Sequence, residues 1–141
     1  MAGRIVVGVD GSESSVRALR WAARQAELTG GELVAVTGWA FPAWVGLTPE
    51  AATYDPERQA AEVLTQTVEK ALGAEGAAKV TRQTVQGNAA EALLNRAEGA
   101  DLLVVGARGY SGLKATVLGS VSLHVVQHSP VPVTVVRGEA A

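Results

Sequence analysis

Short, almost wholly apolar runs recur along this chain. They alternate with longer stretches in which apolar residues return every three or four positions. Arg4–Val9 (RIVVGV), Glu32–Gly38 (ELVAVTG), Leu102–Val105 (LLVV) and Val131–Arg137 (VPVTVVR) are the apolar runs. Runs of this length and composition predict strands, the most apolar of them buried on both faces. Lys79–Val85 (KVTRQTV) is a fifth strand candidate, polar enough for the edge of a sheet.

Helical spacing fills the gaps. Ser12 is placed to cap a helix whose Val16, Leu19, Ala23 and Ala26 share one face, and Gly30-Gly31 ends it. Glu13 and Arg17, four apart, read as a charge pair on its outer face. Asp55-Pro56 signals a second start, with Ala60, Leu64, Val68 and Leu72 in register as far as Gly73 to Gly76. Asn88 with Glu91 forms a capping-box pair before Ala89–Glu98, and Val121–His128 is a fourth helix, broken by Ser129-Pro130. Strand and helix alternate throughout, so the chain predicts an α/β fold: an open, doubly wound parallel sheet with right-handed crossovers.

Composition narrows the function. The 141 residues suit a single domain over 1–141 with a real core, and a net charge of −2 provides no basic field for nucleic acid. Without cysteine there is no disulfide framework, thiolate metal site or thiol nucleophile. No apolar run is long enough to span a membrane, and MAGRIVVGVDGS lacks the pattern of a signal peptide, so a cytoplasmic location is expected.

The candidate chemistry sits around the fourth strand. Gly106, two residues, Gly109, nine residues and Gly119-Ser120 follow its apolar run and enter the last helix at Val121. A glycine ending a buried strand lets a ligand approach the backbone. A Gly-Ser step at a helix N-terminus offers free amides and a hydroxyl to an anion. The pattern suits a phosphate; a glycine-rich crossover loop that binds nothing is the alternative. In a doubly wound sheet, ligands bind outside the carboxyl ends of the strands where the strand order reverses. If the first and fourth strands are neighbours, Asp10 and Gly106 face one crevice. Asp10 then either assists a metal or sugar hydroxyl or bonds its own turn backbone.

Other signatures fail. The first turn, Gly8-Val9-Asp10-Gly11-Ser12-Glu13, is not G-x-G-x-x-G, and neither glycine loop fits G-x-x-x-x-G-K-S/T. His124 and His128 have the spacing of zinc ligands, but no third ligand is evident and no metal site is assigned. Trp39–Tyr54 holds four of the six aromatics, with Pro42 and Pro49. It reads as a hydrophobic flap over the open end of the sheet, with a partner surface as the alternative.

The glycine motif, the opening VVGVDGSESS (Val6–Ser15), ADLLVVGARG (Ala100–Gly109) and the closing PVPVTVV (Pro130–Val136) together resemble the universal stress protein family, in its ATP-binding branch. The resemblance implies five parallel strands in the order 3-2-1-4-5, a dimer and a role in stress survival. It implies ATP with Mg2+ as ligand. Asp10 would lie near the nucleotide, and backbone at Val36 would contact adenine, with a register that could slip by one. Gly106, Ala107, Arg108 and Gly109 would line ribose and phosphates, and Gly119, Ser120 and Val121 would hold the triphosphate. Arg108 and Lys114 are candidate charge partners or simply exposed loop cations.

Two functions of different class follow. One is an ATP-dependent regulatory switch, with at most slow hydrolysis, since no phosphate-loop lysine or water-activating base is apparent. The other is a dimeric interaction module of the same fold with a vestigial site. The last strand is apolar yet falls at the sheet's edge in the implied order, so a homodimer is expected through Val131–Val136.

Overall fold

The computed structural model describes residues 3–41, 54–108 and 118–138. Five strands, β1 (Arg4–Gly8), β2 (Glu32–Trp39), β3 (Thr81–Gln86), β4 (Leu102–Gly106) and β5 (Val133–Val136), form one sheet in the order β3-β2-β1-β4-β5. Every neighbouring pair is parallel. Helices α1 (Glu13–Thr29), α2 (Pro56–Ala77), α3 (Ala89–Ala97) and α4 (Ser120–His128) complete the expected α/β architecture. Side chains alternate across the central strands. Ile5, Val7, Leu33, Ala35 and Val104 pack with α1 and α2, whereas Val6, Val34, Val36, Leu103 and Val105 pack with α3 and α4.

The expected caps form. Ser12 accepts from the Ser15 amide, Asp55 from that of Arg58, and Asn88 from that of Glu91 in a capping box; Gly30 closes α1 in the left-handed region. Several boundaries differ from the sequence reading, each for a local reason. The amides of Lys79 and Val80 bond back to Gly76 and Ala77, so β3 starts at Thr81. Pro132 has no amide to donate, and β5 starts after it. The α2 stretch passes through Gly73 at φ 74° and runs on to Ala77, which is buried. Glu98 is the C-cap of α3 rather than its last turn. Glu13 pairs with Lys70 of α2, tying the two helices on that face together, and not with Arg17 as its main partner.

Candidate functional site

The strand order reverses between β1 and β4, and a crevice of about 220 Å3 opens there at their carboxyl ends. Asp10, Val36, Gly106, Arg108, Gly119, Ser120 and Val121, all singled out from the sequence, line it together. Ala107 is buried behind the wall. Gly109 and Lys114, and most of the aromatic segment including Trp44, fall outside the described residues.

The end of β4 is gripped from both sides. The Ser14 hydroxyl of α1 accepts from the Arg108 amide at 3.1 Å, and the Ser122 hydroxyl of α4 donates to the Gly106 carbonyl. The Gly119 amide donates to the Ala107 carbonyl at 2.8 Å and brings the start of α4 against the end of β4. Gly106 therefore has a packing reason to be glycine: a Cβ there would lie 2.7 Å from the Ser14 carbonyl oxygen. The sequence had assigned that glycine to ligand approach. Ser14 and Ser122 escaped the reading because a serine in the first turn of a helix looks like an ordinary polar residue.

Helix α4 begins differently from the other three. Its N-cap is Gly119, with no side-chain cap, so among the described residues no side chain caps the amides of Ser120, Val121 and Ser122 in its first turn, and all three residues line the crevice. Unsatisfied amides at a helix start carry partial positive charge and accept an anion. Arg108, half-buried in the same wall, adds a full charge.

The opposite end is apolar with one backbone edge. Val9, Val36, Leu93 and Val105 line it. The Val36 carbonyl already accepts from the Val9 amide at 2.9 Å, and the Trp39 carbonyl from the Gly87 amide at 2.7 Å. Successive residues of a strand turn their backbone groups to opposite neighbours. Gly38 thus presents its N–H and C=O on the β1 side, past the last residue of β1. Gly38, like the expected Val36 two residues before it, lines the crevice, and its backbone faces the same side. Asp10 sits exposed at the rim, where its Oδ1 accepts from the Ser12 amide at 2.9 Å and from the Ser12 hydroxyl. The turn role weighed for it is realised, and it remains the one carboxylate among the described lining residues.

Past Gly38 and Ala89 the crevice continues into a hollow walled by Trp39, Tyr54, Gln59 and Val63. The Trp39 and Phe41 rings meet edge to face, with centroids 5.4 Å apart. His124 and His128 stack on the exposed side of α4, and no cluster of three or more metal-ligating side chains occurs among the described residues.

The fold is an open, doubly wound α/β sheet with a crevice at its switch point, and the comparisons name the family to which such a chain belongs. Residues 1–137 match the universal stress protein family, and the chain belongs to that family. It is 30% identical over 142 residues to a universal stress protein of Mycolicibacterium smegmatis, covering 96% of this chain and 48% of the relative. With the universal stress protein YxiE of Bacillus subtilis it shares 35% identity over 152 residues, covering 97% of this chain and all of the relative. The chain thus spans about half the length of the mycobacterial relatives it matches. Among solved structures it resembles a universal stress protein in complex with cAMP, with a TM-score of 0.61, 31% identity and 96% coverage of both chains.

Proposed function

We propose that residues 1–141 form one cytoplasmic nucleotide-binding domain that takes ATP with Mg2+ in this crevice and acts as a nucleotide-dependent switch in the stress response. The observation that carries the reading is the uncapped start of α4, opening onto the switch-point crevice. The triphosphate would accept from the Ser120, Val121 and Ser122 amides, with Arg108 beside it. The base would lie over Val36, Leu93 and Val105, its edge read by the Gly38 backbone. Adenine and guanine present reversed donor and acceptor patterns on that edge, so a fixed backbone pair discriminates between them. Mg2+ needs only one or two carboxylates beside phosphate oxygens, and Asp10 is the group at hand. The likeness to a relative crystallised with cAMP supports the adenine moiety.

The outward-facing backbone of the edge strand β5 supports a homodimer as the form in which the switch works. Mass spectrometry of ligand released from freshly purified protein, followed by calorimetry with ATP, GTP and cAMP in Mg2+, tests the nucleotide. ATP binding with GTP excluded is the expected result. Binding of cAMP alone would overturn the triphosphate assignment, and no binding at millimolar nucleotide would leave the dimeric interaction module as the better reading.

A further inference from the structure

We propose that the outer face of α4 carries a metal site: a two-histidine clamp for a divalent transition-metal ion, formed by His124 and His128. These are the only two histidines in the chain, which has no cysteine. Both stand exposed on the same helix, and their rings stack with centroids 4.3 Å apart. Residues four apart project one above the other, and two imidazoles so placed on a helix reach a single ion.

The backbone that sets their spacing is held in place. Val125, next to His124, is fully buried in the core that α4 shares with α3. The Ser122 hydroxyl donates to the Gly106 carbonyl at the end of β4, and the Ser129 amide donates to the Val125 carbonyl at 2.9 Å, closing the turn that carries His128. A chelate built on such a turn gives up little freedom when an ion arrives.

One ring is also prepared chemically. His128 Nδ1 and the His124 carbonyl oxygen lie 2.9 Å apart. A carbonyl only accepts, so Nδ1 carries the hydrogen, and Nε2 of the neutral ring keeps its lone pair for a metal. Metal-bound histidines characteristically donate their other nitrogen in this way. An ion held by both side chains lies in the plane of each ring, and the stack is tilted by only 26°. The exposed His124 ring therefore turns about its Cβ–Cγ bond to meet the ion. The location favours a cation as well, because His128 is the last residue of α4, where the final carbonyls carry partial negative charge. Imidazole selects Cu2+, Ni2+ and Zn2+, whereas Mg2+ and Ca2+ prefer oxygen. No third metal-ligating side chain joins the pair among the described residues, so water completes the shell and Cu2+ binds tightest.

The test uses the tag-free full chain in excess Mg2+, with Zn2+ followed by NMR and Cu2+ by electron paramagnetic resonance. Zn2+ should shift the ring signals of both histidines with one shared affinity, and the Cu2+ spectrum should show two coupled nitrogens. His124→Gln and His128→Gln, each at an exposed position, should each weaken Zn2+ at least about tenfold, because a chelate becomes a single contact. Two rings that respond with different affinities, a single coupled nitrogen, or a one-histidine chain that binds Zn2+ as the parent does would overturn the proposal. So would the absence of binding in millimolar Zn2+.

Discussion

Gly106 and Ser14 are in contact where α1 crosses the end of β4, with the Ser14 carbonyl oxygen only 2.7 Å from where a Cβ of Gly106 would stand. The same serine's hydroxyl accepts from the Arg108 amide, so strand end and helix start are fitted to each other before any ligand arrives. Gly106→Ala must therefore displace α1 or bend β4. We expect a loss of about 1–3 kcal/mol in stability, typical of overpacking a tight interface. Urea denaturation measures it, and an unchanged midpoint would show that the glycine serves the ligand alone.

At Gly119 the same substitution logic runs the other way. Its φ of −64° suits any residue, and an aspartate there could supply the side-chain cap that the first-turn amides lack among the described residues. Gly119→Asp should leave the melting temperature unchanged or slightly raised while nucleotide affinity drops at least about tenfold, because the new carboxylate occupies the anion position. A variant that melts normally and binds ATP as the parent does would remove the α4 start from the phosphate site.

Much of this was legible in the chain, and the reasons are physical. Caps at Ser12, Asp55 and Asn88 and the glycine at 30 are local decisions, made by residues within a few positions of one another. Strand order and the meeting of Asp10 with the Gly119-Ser120 step came from parallel topology and the family resemblance together. What stayed hidden depends on contacts far apart in sequence. Ser14 against Gly106, Ser122 on the Gly106 carbonyl and Glu13 with Lys70 leave no periodic trace. That the Val36 carbonyl is taken up by the Val9 amide is a question of which neighbour a backbone group faces, which only the β1–β2 register decides.

The Glu13–Lys70 pair predicts a mild acid sensitivity. The hydrogen bond and charge of Lys70 hold the Glu13 carboxyl below its usual value of 4.5. A group depressed in the folded state adds stability that is present above the unfolded pKa and lost as pH falls through the folded one. Glu13→Gln should therefore lower the melting temperature slightly at neutral pH, and the gap to the parent should close as pH falls below about 4.5. Both side chains are exposed, so the effect is small and should fade further in high salt. A gap that widens toward low pH would contradict the assignment.

The edge of β5 yields the last prediction. Val133 and Val135 send their side chains into the α3–α4 core, so what they offer outward is backbone. The Pro132 and Val136 carbonyls accept from β4, through Leu103 and Ala107, and the alternation turns the N–H and C=O of Val133 and Val135 to the open side. An antiparallel pairing with a second copy would engage those groups about a twofold axis. Charges at 133 or 135 would damage the core as well as the edge, so a backbone substitution tests the idea more cleanly. Val135→Pro removes one outward amide while sparing every bond to β4, and edge strands tolerate proline. We expect the parent to sediment as a dimer at tens of micromolar and the Val135→Pro chain as a folded monomer. A monomeric parent, or a variant that stays dimeric with its circular dichroism intact, would place the interface elsewhere or nowhere. The exposed Leu123 and Val126 on α4, which packs against β5, would then be the next apolar surface to test.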